Sequence, residues 1–160
     1  MTATGDAMFD PAKLRDYLRG NIPLAAAMQV DVLSAGEDTV RIGAPLAPNI
    51  NHRDTAFGGS VAALAILASW SLLHLKLRAA GVASQLVIQR GSVDYDRPIA
   101  GAFSARATLR AAADWQPFVN GLQRRGKARI AVLAALEYEG AVAGRFHGDF
   151  VALAPQDRKR

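Results

Sequence analysis

Residues 58–80, GGSVAALAILASWSLLHLKLRAA, contain no proline and are dense in alanine and leucine. They predict a helix about 35 Å long that ends at Gly81. From Val61 to Leu73 the stretch is apolar nearly all round, whereas a helix lying on a protein surface shows one polar face. It must therefore be enclosed, and the enclosing layer has to curve around it. A membrane would also accept such a segment, since residues 56–73 are 18 uncharged residues, near the lower length for spanning. Gly58, Gly59, Ser60, Ser69 and Ser71 within that run, and strand-like sequence after it with no second span, favour a buried core helix and no membrane span.

The enclosing layer reads as strands. Val40, Ile42 and Ala44 alternate with Arg41, after a shorter run at 30–33, and Pro45 and Pro48 stop the pair. Residues 85–95 form a long run ending before Arg97 and Pro98, with Gly91 marking a bend or bulge. Phe103, Ala105, Ala107 and Leu109 alternate with Ser104, Arg106, Thr108 and Arg110, the pattern of a strand wet on one face. Residues 130–138 and 142–153 follow, joined by a turn at Glu139 and Gly140. With no crossover helices available for a parallel sheet, sequential antiparallel pairing is the expected topology. Ahead of the strands, residues 11–19 predict a short helix capped by Asp10 and ended by Gly20, with a further turn or two of helix in 22–28. The class is α+β, a long helix wrapped by a curled antiparallel sheet of five or six strands.

At 160 residues and 51% hydrophobic, the chain holds enough apolar surface for one domain and too little length for two. That domain is placed at 10–154, between a flexible N-terminus at 1–9 and a basic tail at 155–160. The absence of cysteine excludes disulfides, thiolate catalysis and Cys-based metal sites. The opening MTATGDAMFD carries acid before any apolar run and lacks a basic leader, so cytoplasmic residence is expected. Much of the +5 net charge sits in the tail and in Arg124, Arg125, Lys127 and Arg129, a cluster expected to open a strand. Neither zinc-finger spacing nor the aromatic and basic pattern of an RNA-reading sheet accompanies it, so nucleic acid is not the expected partner. A phosphate-bearing small molecule suits the cluster as well.

The start of the long helix carries the chemistry. The N–H groups of Gly58, Gly59 and Ser60 lack intrahelical acceptors, and they sit at the positive end of the helix dipole. Such donors can hold a carbonyl oxygen and the oxyanion that forms on it, and glycines let it come close. The same glycines also allow tight packing of the helix end. Along the helix, Ala62, Ala63, Ala65 and Ala68 leave room at its side for an apolar chain, with Ile66, Leu67 and Trp70 as wall, or simply allow close sheet packing.

Ala44-Pro45-Leu46, Asn49, Asn51, Thr55, Phe57-Gly58-Gly59-Ser60, Trp70, the stretch SVDYDRP at 92–98 and the closing GDFVAL from Gly148 together resemble the hotdog-fold thioesterase family of the YiiD C-terminal domain type. The resemblance implies hydrolysis of an acyl thioester, acyl-CoA or an acylated carrier protein; with histidines only at 52, 74 and 147, no His-x-x-x-His and no clustered carboxylates, neither metal nor cofactor is expected. It also implies a homodimer or dimer of dimers in which strand residues Ser92, Asp94 and Tyr95 of one subunit approach the helix start of the other. Independently, an exposed edge on the strand after the helix would invite association.

One departure bears on mechanism. Many related thioesterases carry His-Gly-Gly and then an acidic residue in the helix, but here Phe57 stands at the histidine position and 58–80 contains no Asp or Glu. The base must come from elsewhere. Asp54, four residues before Gly58, is the nearest carboxylate, with Asn51 positioning water or thioester, and His52 and Asp94 are the other candidates. Asp54 could instead cap a local turn or pair with Arg53, and His52 could face solvent. Thr55 and Ser60 offer hydroxyl donors, while Phe57, Gly58, Gly59, Ser92 and Tyr95 complete the expected binding surface. Ser60 lacks an identifiable base partner for covalent catalysis. Arg124, Arg125 and Lys127 are expected to meet the phosphates of CoA. The alternatives are a non-catalytic acyl-CoA or fatty-acyl binding protein, and a dehydratase or hydratase, whose His and Asp pair this helix start does not display.

Overall fold

The computed structural model describes residues 8–155. The expected flexible N-terminus and basic tail therefore lie outside the described residues apart from Met8, Phe9 and Pro155, and of these Phe9 packs against the core. Helix α1 (Pro11–Asn21) starts as its sequence predicts, with Pro11 in the first turn and the Asp10 carboxylate accepting from the N–H of Ala12 at 2.9 Å and of Lys13 at 3.4 Å. Gly20 does not end it. The N–H of Ile22 still bonds to the carbonyl of Leu18, and Pro23 then opens the separate helix α2 (Pro23–Ala27).

The central helix α3 (Gly58–Ala79) closes at Gly81, whose φ is 69°. Around it runs a six-stranded antiparallel sheet built from β1 (Asp31–Ala35), β2 (Val40–Ala44), β3 (Gln85–Tyr95), β4 (Phe103–Leu109), β5 (Lys127–Tyr138) and β6 (Ala141–Leu153). The strand order is β1-β2-β4-β5-β6-β3. Sequential pairing therefore holds for β4, β5 and β6 and fails for β3, which joins β6, with Gln85 opposite Leu153 and Tyr95 opposite Gly144. The tight turn at Glu139 and Gly140, with φ of 52° and 73°, locks β6 onto β5 and leaves its other edge for β3. Gly144 lets the two backbones meet, since a Cβ there would sit 2.8 Å from the carbonyl oxygen of Asp94. The register shift in β3 falls between Ile88 and Arg90 rather than at Gly91.

A second difference is helix α4 (Trp115–Arg125), which the strand pattern does not anticipate. Phe118, Val119 and Leu122 bury one face of it, and Gly126 ends it with a left-handed φ of 71°. Arg124 and Arg125 are therefore the last turn of a helix, and only Lys127 and Arg129 of the basic cluster lie in a strand.

The sheet and α1 bury α3 on most sides, and 67% of its most apolar window is inside the fold. Its apolarity thus serves the core of a hotdog domain. Between Val61 and Leu77 only Ala62, Ala63, Ile66, Trp70 and His74 are not fully buried, a stripe recurring every three to four residues. The far end of α3 is pinned by Lys76, whose Nζ donates to the Glu37 carbonyl at 3.1 Å and lies 4.6 Å from the Trp115 ring centroid.

Candidate active site

The loop that delivers the chain to α3 is held by two asparagines. Asn49, 2% exposed, donates from Nδ2 to the carbonyls of Met28 at 3.0 Å and Pro45 at 2.8 Å, and its own carbonyl accepts from the N–H of Phe57 at 2.7 Å. The side chain thereby ties the end of α2 to the end of β2, and the main chain of the same residue ties both to the helix start. Asn51 organises the tip: its Oδ1 accepts from the N–H groups of Arg53 and Thr55, and its Nδ2 donates to Thr55 Oγ1 at 2.8 Å. With its carboxamide committed in this way, Asn51 shapes the loop before it can hold any water.

Within that tip Asp54 has a φ of 63°, a left-handed conformation that costs most side chains energy and that Asp tolerates better than most. Its exposed carboxylate forms no hydrogen bond or ion pair among the described residues. His52 is exposed beside it. Gln29 and Glu139 share such a positive φ, but both serve turns away from the helix start, and Asp54 alone of the three stands in the loop that delivers the chain to α3.

The first intrahelical bond of α3 runs from the N–H of Val61 to the carbonyl of Phe57. The N–H groups of Gly58, Gly59 and Ser60 precede it, and no side chain caps them. The Phe57 ring, 57% exposed, lies against Gly59 so closely that a Cβ at this position would overlap it. A Cβ on Gly58 would meet only ordinary contacts, the nearest being the Tyr95 hydroxyl at 3.5 Å. That hydroxyl donates to the carbonyl of Gly58 at 2.9 Å, fastening the end of β3 to the helix start within one chain.

Strand alternation then separates the expected β3 residues. Tyr95 faces α3, whereas Asp94 stands opposite Arg145 and Ser92 opposite His147, on the face turned away from the helix. A cavity of about 390 Å³ opens beside the helix start between Thr55, Gly58, Val61, Tyr95, Asp96 and Arg97. Asp96, which the sequence presents only as part of a strand-end turn, accepts from Arg145 Nε at 3.2 Å and Nη2 at 3.4 Å, and this pairing raises the pKa of Arg145. Arg97 directs its N–H groups to the carbonyls of Tyr138, Ala141 and Val142 and so secures the β5–β6 turn. Both residues fall within the stretch SVDYDRP at 92–98, which is the sign in the sequence that they belong near the site.

Further along the same helix stripe lies a cavity of about 290 Å³ with apolar lining from Ala63, Ile66 and Trp70 of α3, Leu24 and Met28 beside it, and Ile88 of β3. Ala65 and Ala68, expected to border it, are instead buried in the core. Arg124, Arg125 and Lys127 line neither cavity, and they are remote from the helix start. Lys127 begins β5, and the end of β5 nearest the helix start is Leu136, nine residues or roughly 30 Å away. Ser60 forms no hydrogen bond to a histidine or carboxylate among the described residues. His74 belongs to a ring stack, its centroid 4.6 Å from Trp70 and 5.1 Å from Tyr17, and burial, then the charge of Arg78, lowers its pKa.

Known proteins share this fold. A protein of unknown function from Chlorobaculum tepidum superposes with a TM-score of 0.85 at 29% identity, covering 93% of this chain and 99% of its own. A "putative thioesterase" from Shewanella oneidensis does so with a TM-score of 0.78 at 26% identity, covering 94% and 99%. A thioesterase from Haemophilus influenzae, 14% identical over 95% and 96% of the two chains, shares the fold with a TM-score of 0.75. Residues 11–154 match the family model described as "Putative thioesterase (yiiD_Cterm)", and the chain belongs to that hotdog-fold family.

Proposed function

We propose that the protein hydrolyses acyl thioesters, with acyl-CoA or an acylated carrier protein as substrate. The observation that carries this reading is the placement, on one stripe of α3, of uncapped N–H groups at Gly58 to Ser60 and, one turn on, an apolar cavity bounded by Ala63, Ile66 and Trp70. A thioester carbonyl oxygen against the N–H groups of Gly59 and Ser60 leaves its acyl chain directed along Ala63 towards Trp70. Those N–H groups stabilise the oxyanion as water adds to the carbonyl carbon. Asp54 takes the proton from the attacking water, the carbonyl re-forms, the C–S bond breaks, and the departing thiolate is protonated. Supporting hydrolysis over simple binding is the family membership, while Phe57 and the carboxylate-free helix favour an acyl-binding protein as the second reading. Release of free thiol from acyl-CoA at a saturable rate supports hydrolysis. Saturable binding without thiol release overturns it.

Phe57 supplies a sharper test of the helix start. Gly59→Ala forces the ring off its seat and is expected to lower kcat/KM about tenfold, a loss near 1.4 kcal/mol in the transition state, while Gly58→Ala stays near wild type. Equal behaviour of the two variants would remove this site from the mechanism.

The dimer is proposed through β3. It is a sheet edge of 11 residues with Val87 and Ile88 exposed, and a two-fold axis beside it would extend the sheet antiparallel into a second copy. Such pairing would set the Lys127 end of one subunit against the helix start of the other, returning Arg124, Arg125 and Lys127 to the neighbourhood of CoA phosphates. Sedimentation is expected to give at least twice the 17.0 kDa of the chain, and a monomer at micromolar concentration would exclude the arrangement.

A further inference from the structure

Two cavities meet at one residue. Trp70 lines the apolar cavity of about 290 Å³ that begins near Ala63, and it also lines a larger one of about 660 Å³ that continues past Leu86, Leu77 and Val82 towards the exposed Arg78. Its indole is fixed in place from three directions. Nε1 donates to the carbonyl of Leu86 on β3 at 3.0 Å, the ring stacks on His74 at 4.6 Å, and Tyr17 of α1 lies parallel at 6.3 Å. An exposed or weakly held tryptophan would swing aside for a longer ligand, but this one is bonded to the edge strand and backed by two further rings.

We propose that Trp70 is a partition that sets the longest acyl chain the site accepts, with the space behind it unused while the indole is present. The inference rests on the reading of the helix start as an acyl thioester site. A chain entering at Gly59 passes Ala63 and Ile66 on successive turns and meets the indole face next. Up to that point each added methylene gains burial, worth about fourfold in affinity or kcat/KM. Beyond it, further methylenes have to stay in water or displace the ring. Removing the ring joins the two cavities along the same helix face.

The test is a chain-length profile over even-numbered saturated acyl-CoAs from butanoyl to hexadecanoyl, with the same series of free fatty acids measured for binding by calorimetry. The wild type is expected to show kcat/KM and fatty-acid affinity that rise with length and then break. In Trp70→Ala the break moves to longer chains, so that a substrate two methylenes past the wild-type optimum gains at least tenfold relative to that optimum. Trp70→Leu, which keeps apolar bulk in the core, gives a shift in the same direction and serves where the alanine variant does not melt cooperatively. Trp115→Phe, on the far side of the fold, leaves the break where it was. If the wild type releases no thiol from any acyl-CoA while the fatty-acid break still moves in the Trp70 variants, hydrolysis is refuted and the partition stands. Folded Trp70 variants that keep the wild-type break in both series overturn the partition.

Discussion

Asp54→Asn is expected to lower kcat for thiol release by about 10²-fold while leaving the oligomeric state and the melting temperature close to wild type. The second part of that expectation follows from local structure. Asparagine accepts a left-handed backbone as readily as aspartate does, and the Asp54 side chain makes no hydrogen bond among the described residues, while its N–H bond to the Asn51 carbonyl survives the substitution. Asp54→Gly, which suits the φ of 63° even better, should be as inactive and slightly more stable. Asp94→Asn is the contrasting case. Its side chain leaves the face of β3 opposite to Tyr95, beside Arg145, and kcat should stay within about twofold of wild type because no step of the proposed hydrolysis uses it. If Asp54→Asn retains full activity, the base is another group, and Asp96, whose carboxylate borders the cavity at the helix start, is the next to be replaced.

Asn49→Leu, by contrast, is expected to act on stability. The substitution preserves bulk but strips the buried main-chain carbonyl of Met28 and the part-buried one of Pro45 of their donor. A buried polar group left without a partner costs about 1–3 kcal/mol, so a loss of about 2–4 kcal/mol should show as a lower urea midpoint at unchanged slope. The main-chain carbonyl of residue 49 still accepts the N–H of Phe57, so activity falls only as far as the loosened loop lets the helix start move. A variant with a wild-type midpoint would mean that neighbouring strands hold the helix start without Asn49.

The contrast between these residues shows what could be read from the sequence. Strand β4 falls where alternation places it and β3 where its long run before Arg97 and Pro98 does, and the apolar girth of α3 demands a wrapped sheet before any coordinates are seen. Partner choice is another matter, because alternation says which face of a strand is buried and nothing about which neighbour it meets. The pairing of β3 with β6 depends on a turn at Glu139 and on close approach at Gly144, both tertiary facts. Helix α4 is hidden by Pro117 and Gly121, two residues that normally interrupt helices, although proline is tolerated in a first turn. At the site, the loop asparagines stand out by type, but whether an asparagine binds substrate or shapes its own loop is decided by geometry. Both here are occupied with backbone. Asp96 carries no such mark, since nothing local distinguishes it within the stretch SVDYDRP and its pairing with Arg145 is a tertiary fact.

Strand order also has a consequence for how the chain is made. Gln85 meets Leu153, so the edge strand that flanks the helix stripe cannot dock until the ribosome has released almost the whole domain. Until then α3, the most apolar segment of the chain, has only α1, α2 and the strands β1, β2, β4 and β5 to cover it, and its β3 side stays open. Contacts this distant in sequence are slow to form because the loop between them has to close first. Nascent chains of this protein should therefore expose Ile66 and Trp70 for most of their synthesis, a window in which a chaperone that binds apolar helices has its best access and in which aggregation competes with folding.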